Sequence, residues 1–185
     1  MKTLIIAGHP DLENSIVNKT ILEEVANALP EAKIRRLCEV APDGRFDIAA
    51  EQKELLEADL IVWQFPFWWY NLPWLMKKWV DEVFVHGFAH GSKGVLGGKK
   101  LLVSFTTGAP EEAYTGLEGS LADINHLAEA FSATAALCKL DYKGAMWLNG
   151  VSYAARGDTA AIASQESKAT GYAARLVERI KSIAG

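Results

Sequence analysis

The sequence predicts an α/β fold: a three-layer sandwich in which a five-stranded, mostly parallel sheet carries helices on both faces. Short apolar runs, typical of strands buried on both sides, alternate along the chain with segments whose apolar residues recur every three or four positions. This alternation indicates a parallel sheet between two helix layers. Because the 185 residues contain no repeat and no linker, we expect a single domain over residues 1–185.

The individual elements follow from the local pattern. Short apolar runs predict strands at residues 3–7, 33–37, 60–63, 100–106 and 140–148. Helical periodicity predicts helices that begin at residue 15, span 51–57, begin at 72 and span 124–135. After the loop at 150–159, it predicts a closing helix that carries Tyr172, Ala173, Leu176, Val177, Ile180 and Ile183 on one side. The polar stretches at 86–98 and 150–159 are predicted to be loops.

Composition narrows the function classes. The chain is half hydrophobic with a net charge of −4, and it has no basic tract, so we expect no nucleic-acid partner. No apolar run reaches signal-peptide or membrane-spanning length, which predicts a cytoplasmic protein without direct membrane insertion. Cys38 and Cys138 lack metal-binding spacing and are interpreted as buried free thiols. His86 and His90 are interpreted as surface-loop residues, and no metal site is predicted.

Three loops are expected to meet at one edge of the sheet, because the loops after the first, third and fourth strands leave the same edge. In the first of these loops, Ser15 can cap a helix whose free N–H groups and positive dipole end suit a phosphate. The ring of His9 and the amide of Asn18 could bond the same phosphate. The alternative is an ordinary helix cap beside a surface histidine.

The second loop is the most aromatic stretch of the chain. Between Pro66 and Pro73 it carries Phe67-Trp68-Trp69-Tyr70, which could clamp a flat, conjugated ligand and offer backbone N–H groups to its edge. A hydrophobic corner packed on the core or on a partner subunit explains the same residues equally well.

The third loop, Thr106-Thr107-Gly108-Ala109 with Tyr114 further on, combines small residues with hydroxyl groups. Small residues let a ligand approach the backbone, and the hydroxyl groups can bond ring heteroatoms. A simple exit from the strand is the alternative. Together the three loops describe a mononucleotide with a large planar ring, and FMN fits this description best.

Several segments between residues 8 and 114 match one known family. They are GHPDLENSIVN (8–18), FDIAAEQ (46–52), ADLIVWQFPFWWYNLPWLMKKWVDEVF (58–84), GFAHG (87–91), GGKKLLVSFTTG (97–108) and Tyr114. With them the chain resembles the flavodoxin-like NAD(P)H:quinone oxidoreductases. It is most similar to the short bacterial members, which include the ancillary oxidoreductases of glutathione-regulated potassium efflux systems.

The resemblance implies a flavodoxin-like strand order, a homodimer that completes each active site at the subunit interface, and FMN rather than the FAD of longer relatives. It implies that two electrons pass as a hydride from NAD(P)H through the flavin to a quinone or similar electrophile, with ping-pong kinetics. The cofactor-binding residues that it implies are His9, Ser15, Ile16, Val17, Asn18, Pro66, Phe67, Trp68, Trp69, Tyr70, Thr106, Thr107, Gly108 and Ala109.

Tyr114 is the one candidate catalytic residue. With the backbone N–H groups of Thr107 and Gly108, it would stabilise negative charge on the reduced flavin. The chain departs from the family at Ala109, where a second glycine is common, and at Ser120, where mammalian-type enzymes place a histidine that pairs with the tyrosine.

The alternative function is regulatory. By the same resemblance, the protein could be an ancillary subunit that binds flavin or nucleotide on the cytoplasmic face of a potassium efflux transporter, peripheral to the inner membrane. An electron carrier is a weaker interpretation, since carriers usually lack such an aromatic loop. The sequence leaves open the physiological acceptor and the choice between NADH and NADPH.

Overall fold

The computed structural model describes residues 1–184, and its strands form one parallel sheet. The strands are β1 (Thr3–Ala7), β2 (Lys33–Arg36), β3 (Leu60–Pro66), β4 (Lys100–Thr106) and β5 (Asp141–Leu148). The helices are α1 (Ile16–Ala28), α2 (Leu37–Val40), α3 (Ile48–Glu57), α4 (Trp74–Val83), α5 (Ile124–Leu137) and α6 (Thr159–Ala184). The strand order is β2-β1-β3-β4-β5 with every pair parallel, so the predicted α/β sandwich is confirmed.

Two hydrophobic cores lie on opposite faces of the sheet. Ile5 and Val62 point to the face covered by α1 and α6. Ile6 and Trp63, one residue further along each strand, point to the face covered by α2, α3, α4 and α5. Because β3 is buried along its whole length, it can be apolar at nearly every position.

Some boundaries differ from the predicted ones. β3 continues past residue 63 to Pro66, and the Phe67 N–H then donates to the Thr106 carbonyl (2.8 Å). The last helix begins at Thr159, where the predicted loop ends, and the predicted apolar face between Tyr172 and Ile183 is buried in the core. With 26 residues α6 is the longest helix, yet neither it nor any other described helix is apolar enough over a sufficient length to cross a membrane.

Gly8 sets how closely α4 packs against the end of β1. A Cβ atom at this position would lie 2.2 Å from Sδ and 2.8 Å from Cβ of Met76. The Gly8 N–H meanwhile donates to the Gln64 carbonyl (2.8 Å), which keeps the chain in register with β3 as it leaves the sheet. The residue immediately before the first candidate loop is therefore glycine for steric reasons.

Replacing Gly8 with alanine should destabilise the protein. The added methyl group forces Met76 off its position in a packed core, so we expect the free energy of unfolding to fall by about 1–3 kcal/mol. Gly171→Ala is the matched control, because this α6 glycine has no atom within 4 Å of the added Cβ. The control should instead gain about 0.5–1 kcal/mol from helix propensity. Urea unfolding measures both, and an unchanged stability for Gly8→Ala would contradict the packing described.

Candidate functional site

A cavity of about 290 Å³ lies where the sequence predicted that three loops meet. It opens at the carboxyl ends of the parallel strands, where ligands bind in folds of this class. The lining residues come from the β1–α1 loop, the ends of β3 and β4, and the segment that joins β5 to α6. They are His9, Ser15, Ile16, Val17, Asn18, Pro66, Phe67, Trp68, Thr106, Thr107, Gly108, Val151, Ser152, Tyr153, Arg156 and Gln165.

The amino end of α1 forms one wall of this cavity. Ser15 is the N-cap, and its Oγ accepts a hydrogen bond from the Asn18 N–H (3.2 Å). The N–H groups of Ile16 and Val17 precede the first intrahelical hydrogen bond and have no acceptor within the helix. These donors and the positive end of the helix dipole make this wall suitable for an anion.

A buried hydrogen-bond network holds that wall in place. Asn18 Nδ2 donates to Thr106 Oγ1 (3.1 Å), and Asn18 Oδ1 accepts from Gln64 Nε2 (3.0 Å). Gln64 Oε1 accepts from Ser104 Oγ (2.5 Å), which also bonds the Tyr172 hydroxyl (2.7 Å). The Asn18 amide, expected to bond a phosphate, is thus engaged mainly inside the protein, where it fixes α1 against β3 and β4.

His9 is buried at the cavity, with 8% of its surface exposed. Burial lowers its pKa from 6.5 to about 4; the Asp11 carboxylate opposes this shift and Arg156 adds to it. Nδ1 accepts a hydrogen bond from the Asp11 N–H (3.1 Å), so the neutral ring carries its proton on Nε2. The ring meets Trp68 edge to face with centroids 5.3 Å apart. At neutral pH His9 is therefore an uncharged hydrogen-bond donor.

The aromatic loop divides into two parts. Phe67 and Trp68 both line the cavity, but Phe67 is also buried in the core against Phe105 (centroids 4.6 Å apart), whereas Trp68 is 44% exposed. Trp69 and Tyr70 do not line the cavity. They form a tight turn, which is closed by a hydrogen bond from the Asn71 N–H to the Trp68 carbonyl (3.0 Å).

This turn is unusual in its backbone. Trp69 and Tyr70 both have positive φ angles, 50° and 62°, which bulky residues rarely adopt. The turn leaves Trp69 93% exposed and Tyr70 43% exposed. Strain of this kind persists where the surrounding structure holds it, and it is concentrated at functional sites.

The third loop offers fewer donors than expected. The Thr107 N–H donates to the Leu148 carbonyl (2.9 Å) and is therefore not free for a ligand. Of the two N–H groups expected to stabilise the flavin, only that of Gly108 is available. The Thr107 hydroxyl bonds Asn149 Oδ1 (2.8 Å) and the Ala109 carbonyl (3.0 Å). Ala109 itself lies outside the cavity wall.

Tyr114 also lies outside the cavity wall, in a 3₁₀ turn at Glu111–Tyr114. Burial raises the pKa of its phenol, and a hydrogen bond with the Thr107 side chain partly offsets this effect. The phenol is therefore protonated at neutral pH.

Sequence reasoning missed the fourth wall, formed by Val151, Ser152, Tyr153, Arg156 and Gln165. Residues 150–159 show no periodicity, and they contain a 3₁₀ turn at Tyr153–Gly157. One signal could have found them: the segment follows β5, so it leaves the sheet at the same edge as the other loops. Gln165 Nε2 anchors it by donating to the Ser152 carbonyl (2.8 Å).

The family of the chain follows from comparison with known proteins. The Flavodoxin_2 family model, described as a flavodoxin-like fold, matches residues 1–172. The chain belongs to this family. General stress protein 14 of Bacillus subtilis (strain 168) is 40% identical over 159 residues, which cover 85% of this chain and 90% of the relative.

Two solved structures are similar along nearly the whole chain. General stress protein 14 from Treponema denticola, in complex with FMN, superposes with a TM-score of 0.82 at 34% identity and covers 97% of this chain and 99% of its own. An NADPH-quinone reductase from P. pentosaceus gives a TM-score of 0.69 at 27% identity and covers 94% and 98%. The predicted family is confirmed, while the narrower likeness to potassium efflux proteins stays a prediction.

The buried His9 should make stability depend on pH. Its pKa is lower in the folded protein than in the unfolded chain, so the unfolded chain binds the extra proton. Stability is complete above pH 6.5 and is lost as the pH falls towards 4. Between pH 7 and pH 4 the wild type should lose about 3 kcal/mol more than His9→Gln, which keeps a donor but does not titrate.

Urea unfolding of both proteins at several pH values tests this expectation. Carboxylates contribute equally to the two curves of unfolding free energy against pH. The difference between the curves therefore gives the contribution of the His9 titration alone. Parallel curves would show that the histidine ring is solvated and not buried.

Proposed function

We propose that the protein is an FMN-dependent NAD(P)H:quinone oxidoreductase, which transfers two electrons as a hydride to quinones or similar electrophiles. The observation that carries the proposal is the cavity itself, which joins a capped helix amino end, a half-exposed tryptophan and a glycine loop at one edge of the sheet. Two relatives support it: the Treponema denticola protein is in complex with FMN, and the P. pentosaceus protein is an NADPH-quinone reductase.

The residues present fit FMN. A Cβ atom on Gly108 would meet only the Ser152 Cα, at 3.8 Å, so packing within the chain does not require a glycine there and the space beside it is open to a ligand. At about 290 Å³ the cavity is near the lower limit for small-molecule sites. It therefore suits the phosphate and ribityl chain, and the half-exposed Trp68 would be available to contact the planar ring.

In this proposal α1 holds the phosphate through the N–H groups of Ile16 and Val17 and the hydroxyl group of Ser15. The Nε2–H group of His9 would donate a hydrogen bond to the same end of the ligand, and the Gly108 N–H would be free to bond the polar edge of the ring. Bound FMN would supply hydride-transfer chemistry between NAD(P)H and a quinone. Because the ring would be open on one side only, the two substrates would use the same space in turn, which gives ping-pong kinetics.

Tyr114 has a positioning role in this proposal rather than a catalytic one. It lies outside the cavity wall and shares a hydrogen bond with the Thr107 side chain, so it would act on a ligand through the third loop. Its protonated phenol keeps Thr107 oriented, and the Thr107 hydroxyl in turn bonds Asn149.

The homodimer belongs to the same proposal. Exposed apolar residues gather in the aromatic loop and the start of α4: Trp68 (44%), Trp69 (93%), Tyr70 (43%) and Trp74 (59%). A patch of large aromatic residues beside an open cavity is typical of an interface. A second copy of the chain would cover this patch and form a further wall of the space that the two substrates would use in turn. No observation on the fold or the relatives favours the regulatory-subunit role.

The proposal predicts that bound flavin is reduced by NAD(P)H and reoxidised by a quinone, with a change of absorbance at each step. Protein loaded with FMN should lose its absorbance near the flavin maximum when NADPH or NADH is added without oxygen, and should regain it on addition of a quinone. Anaerobic absorbance spectroscopy measures both half-reactions. A bound flavin that stays oxidised would contradict the reductase, and a protein that refuses FMN would contradict the site.

The Gly108→Ala variant tests whether the flavin binds in this cavity. The variant should keep the wild-type unfolding free energy, since its methyl group meets nothing closer than 3.8 Å. It should nevertheless bind FMN about tenfold more weakly, because the methyl group occupies ligand space. Gly171→Ala, far from the cavity on α6, serves as the control and should bind FMN normally.

A further inference from the structure

The segment that joins β5 to α6 closes the end of the cavity next to α1, which we call the phosphate end. The segment is held at both of its sides. The N–H groups of Gly150 and Val151 donate to the carbonyls of Ala109 (2.8 Å) and Thr107 (3.0 Å). Gln165, 8% exposed on α6, donates to the Ser152 carbonyl (2.8 Å). The segment is therefore a fixed wall.

Arg156 connects this wall to the opposite one. Its Nη2 donates to the Asn14 carbonyl, one residue before the Ser15 cap of α1. Its guanidinium lies over the Tyr153 ring, 3.7 Å from the centroid, and this stacking fixes the plane of the group. A guanidinium has five N–H donors, so most stay available after the bond to Asn14.

Arg156 also supplies the charge of the cavity. Among the described residues that line the cavity, it is the one with a charged side chain at neutral pH, since the low pKa of His9 leaves that ring neutral. A phosphate monoester carries a charge of about −2 at pH 7. The helix dipole contributes only about +0.5, so the guanidinium is the main counter-charge at this end.

We propose that Arg156, oriented by Tyr153 and bonded to Asn14, makes the site select a flavin that ends in a phosphate monoester over a flavin dinucleotide. This rests on the proposed function. In FAD the same phosphate carries a smaller charge and continues into a second nucleotide, which must leave the cavity at the phosphate end. The bridge between Arg156 and Asn14 would lie across that exit, because it joins the β5–α6 segment to the chain directly before α1. FMN needs no exit and has the charge that the guanidinium matches.

Flavin titrations of the apoprotein test this selection, with FMN, FAD and riboflavin followed by fluorescence. Wild type should bind FMN at least about tenfold more tightly than FAD, as expected for one charge-assisted hydrogen bond. Arg156→Ala should weaken FMN binding about ten- to hundredfold and FAD binding much less, so the ratio of the two affinities should approach one. Riboflavin, which has no phosphate, should bind both proteins equally.

Two further variants sharpen the result. Tyr153→Leu keeps the charge but removes the stacking surface that orients it, so it should weaken FMN binding more than FAD binding and lower the FMN-to-FAD affinity ratio. Lys168→Ala removes an exposed cation from the same helix as Gln165, outside the cavity wall, and should change neither affinity. Circular dichroism checks that each variant is folded.

Several outcomes would overturn the proposal that Arg156 makes the site prefer FMN over FAD. If Arg156→Ala weakens FMN and FAD equally, or if wild type binds FAD as tightly as FMN, the guanidinium does not select between them. Either result would leave FMN binding and the proposed function intact. A wild-type protein that binds no flavin would overturn the proposed function, and the selection with it.

Discussion

The candidate site depends on a buried network of side-chain hydrogen bonds between the helices and the sheet. Gln64 at the centre of β3 bonds Asn18 of α1 and Ser104 of β4, and Ser104 continues the network to Tyr172 of α6. Each of these groups is buried, so breaking one bond would leave a desolvated polar atom at a cost of about 1–3 kcal/mol. The network also ends at Thr106, in the cavity wall. It therefore fixes the helix amino end relative to the loop across from it.

Around this fixed centre the parts of the site differ in rigidity and exposure. The α1 wall and the Thr106–Gly108 loop rest on buried strands, whereas the Trp69-Tyr70 turn projects outward with positive φ at both residues. Stability would favour glycine or asparagine in such a turn. Retaining two large aromatic residues there places apolar surface beside the cavity opening, where the proposed partner subunit would cover it.

The sequence predicted the sheet well and the site only in part. β1 and β4 have the predicted bounds, because apolar runs buried on both faces give the clearest signal. α6 buries its predicted apolar face between Tyr172 and Ile183 in the core on one side of the sheet. Its position in the loop predicts that the Asn18 side chain binds a phosphate, and this stays a prediction; the structure adds long-range hydrogen bonds from this side chain to Gln64 and Thr106. Such partners, like the approach of Arg156 to Asn14, are distant in sequence and follow from the tertiary fold alone.

A crystal structure of the protein grown with FMN tests the central claim most directly, namely that one cavity at the carboxyl edge of β1, β3 and β4 holds the flavin. The phosphate should accept hydrogen bonds from the N–H groups of Ile16 and Val17, and the ring should lie beside Trp68 with the Gly108 N–H at its polar edge. The network from Asn18 to Tyr172 should be unchanged. A phosphate bound away from the α1 amino end, or a ring outside this cavity, would contradict the claim.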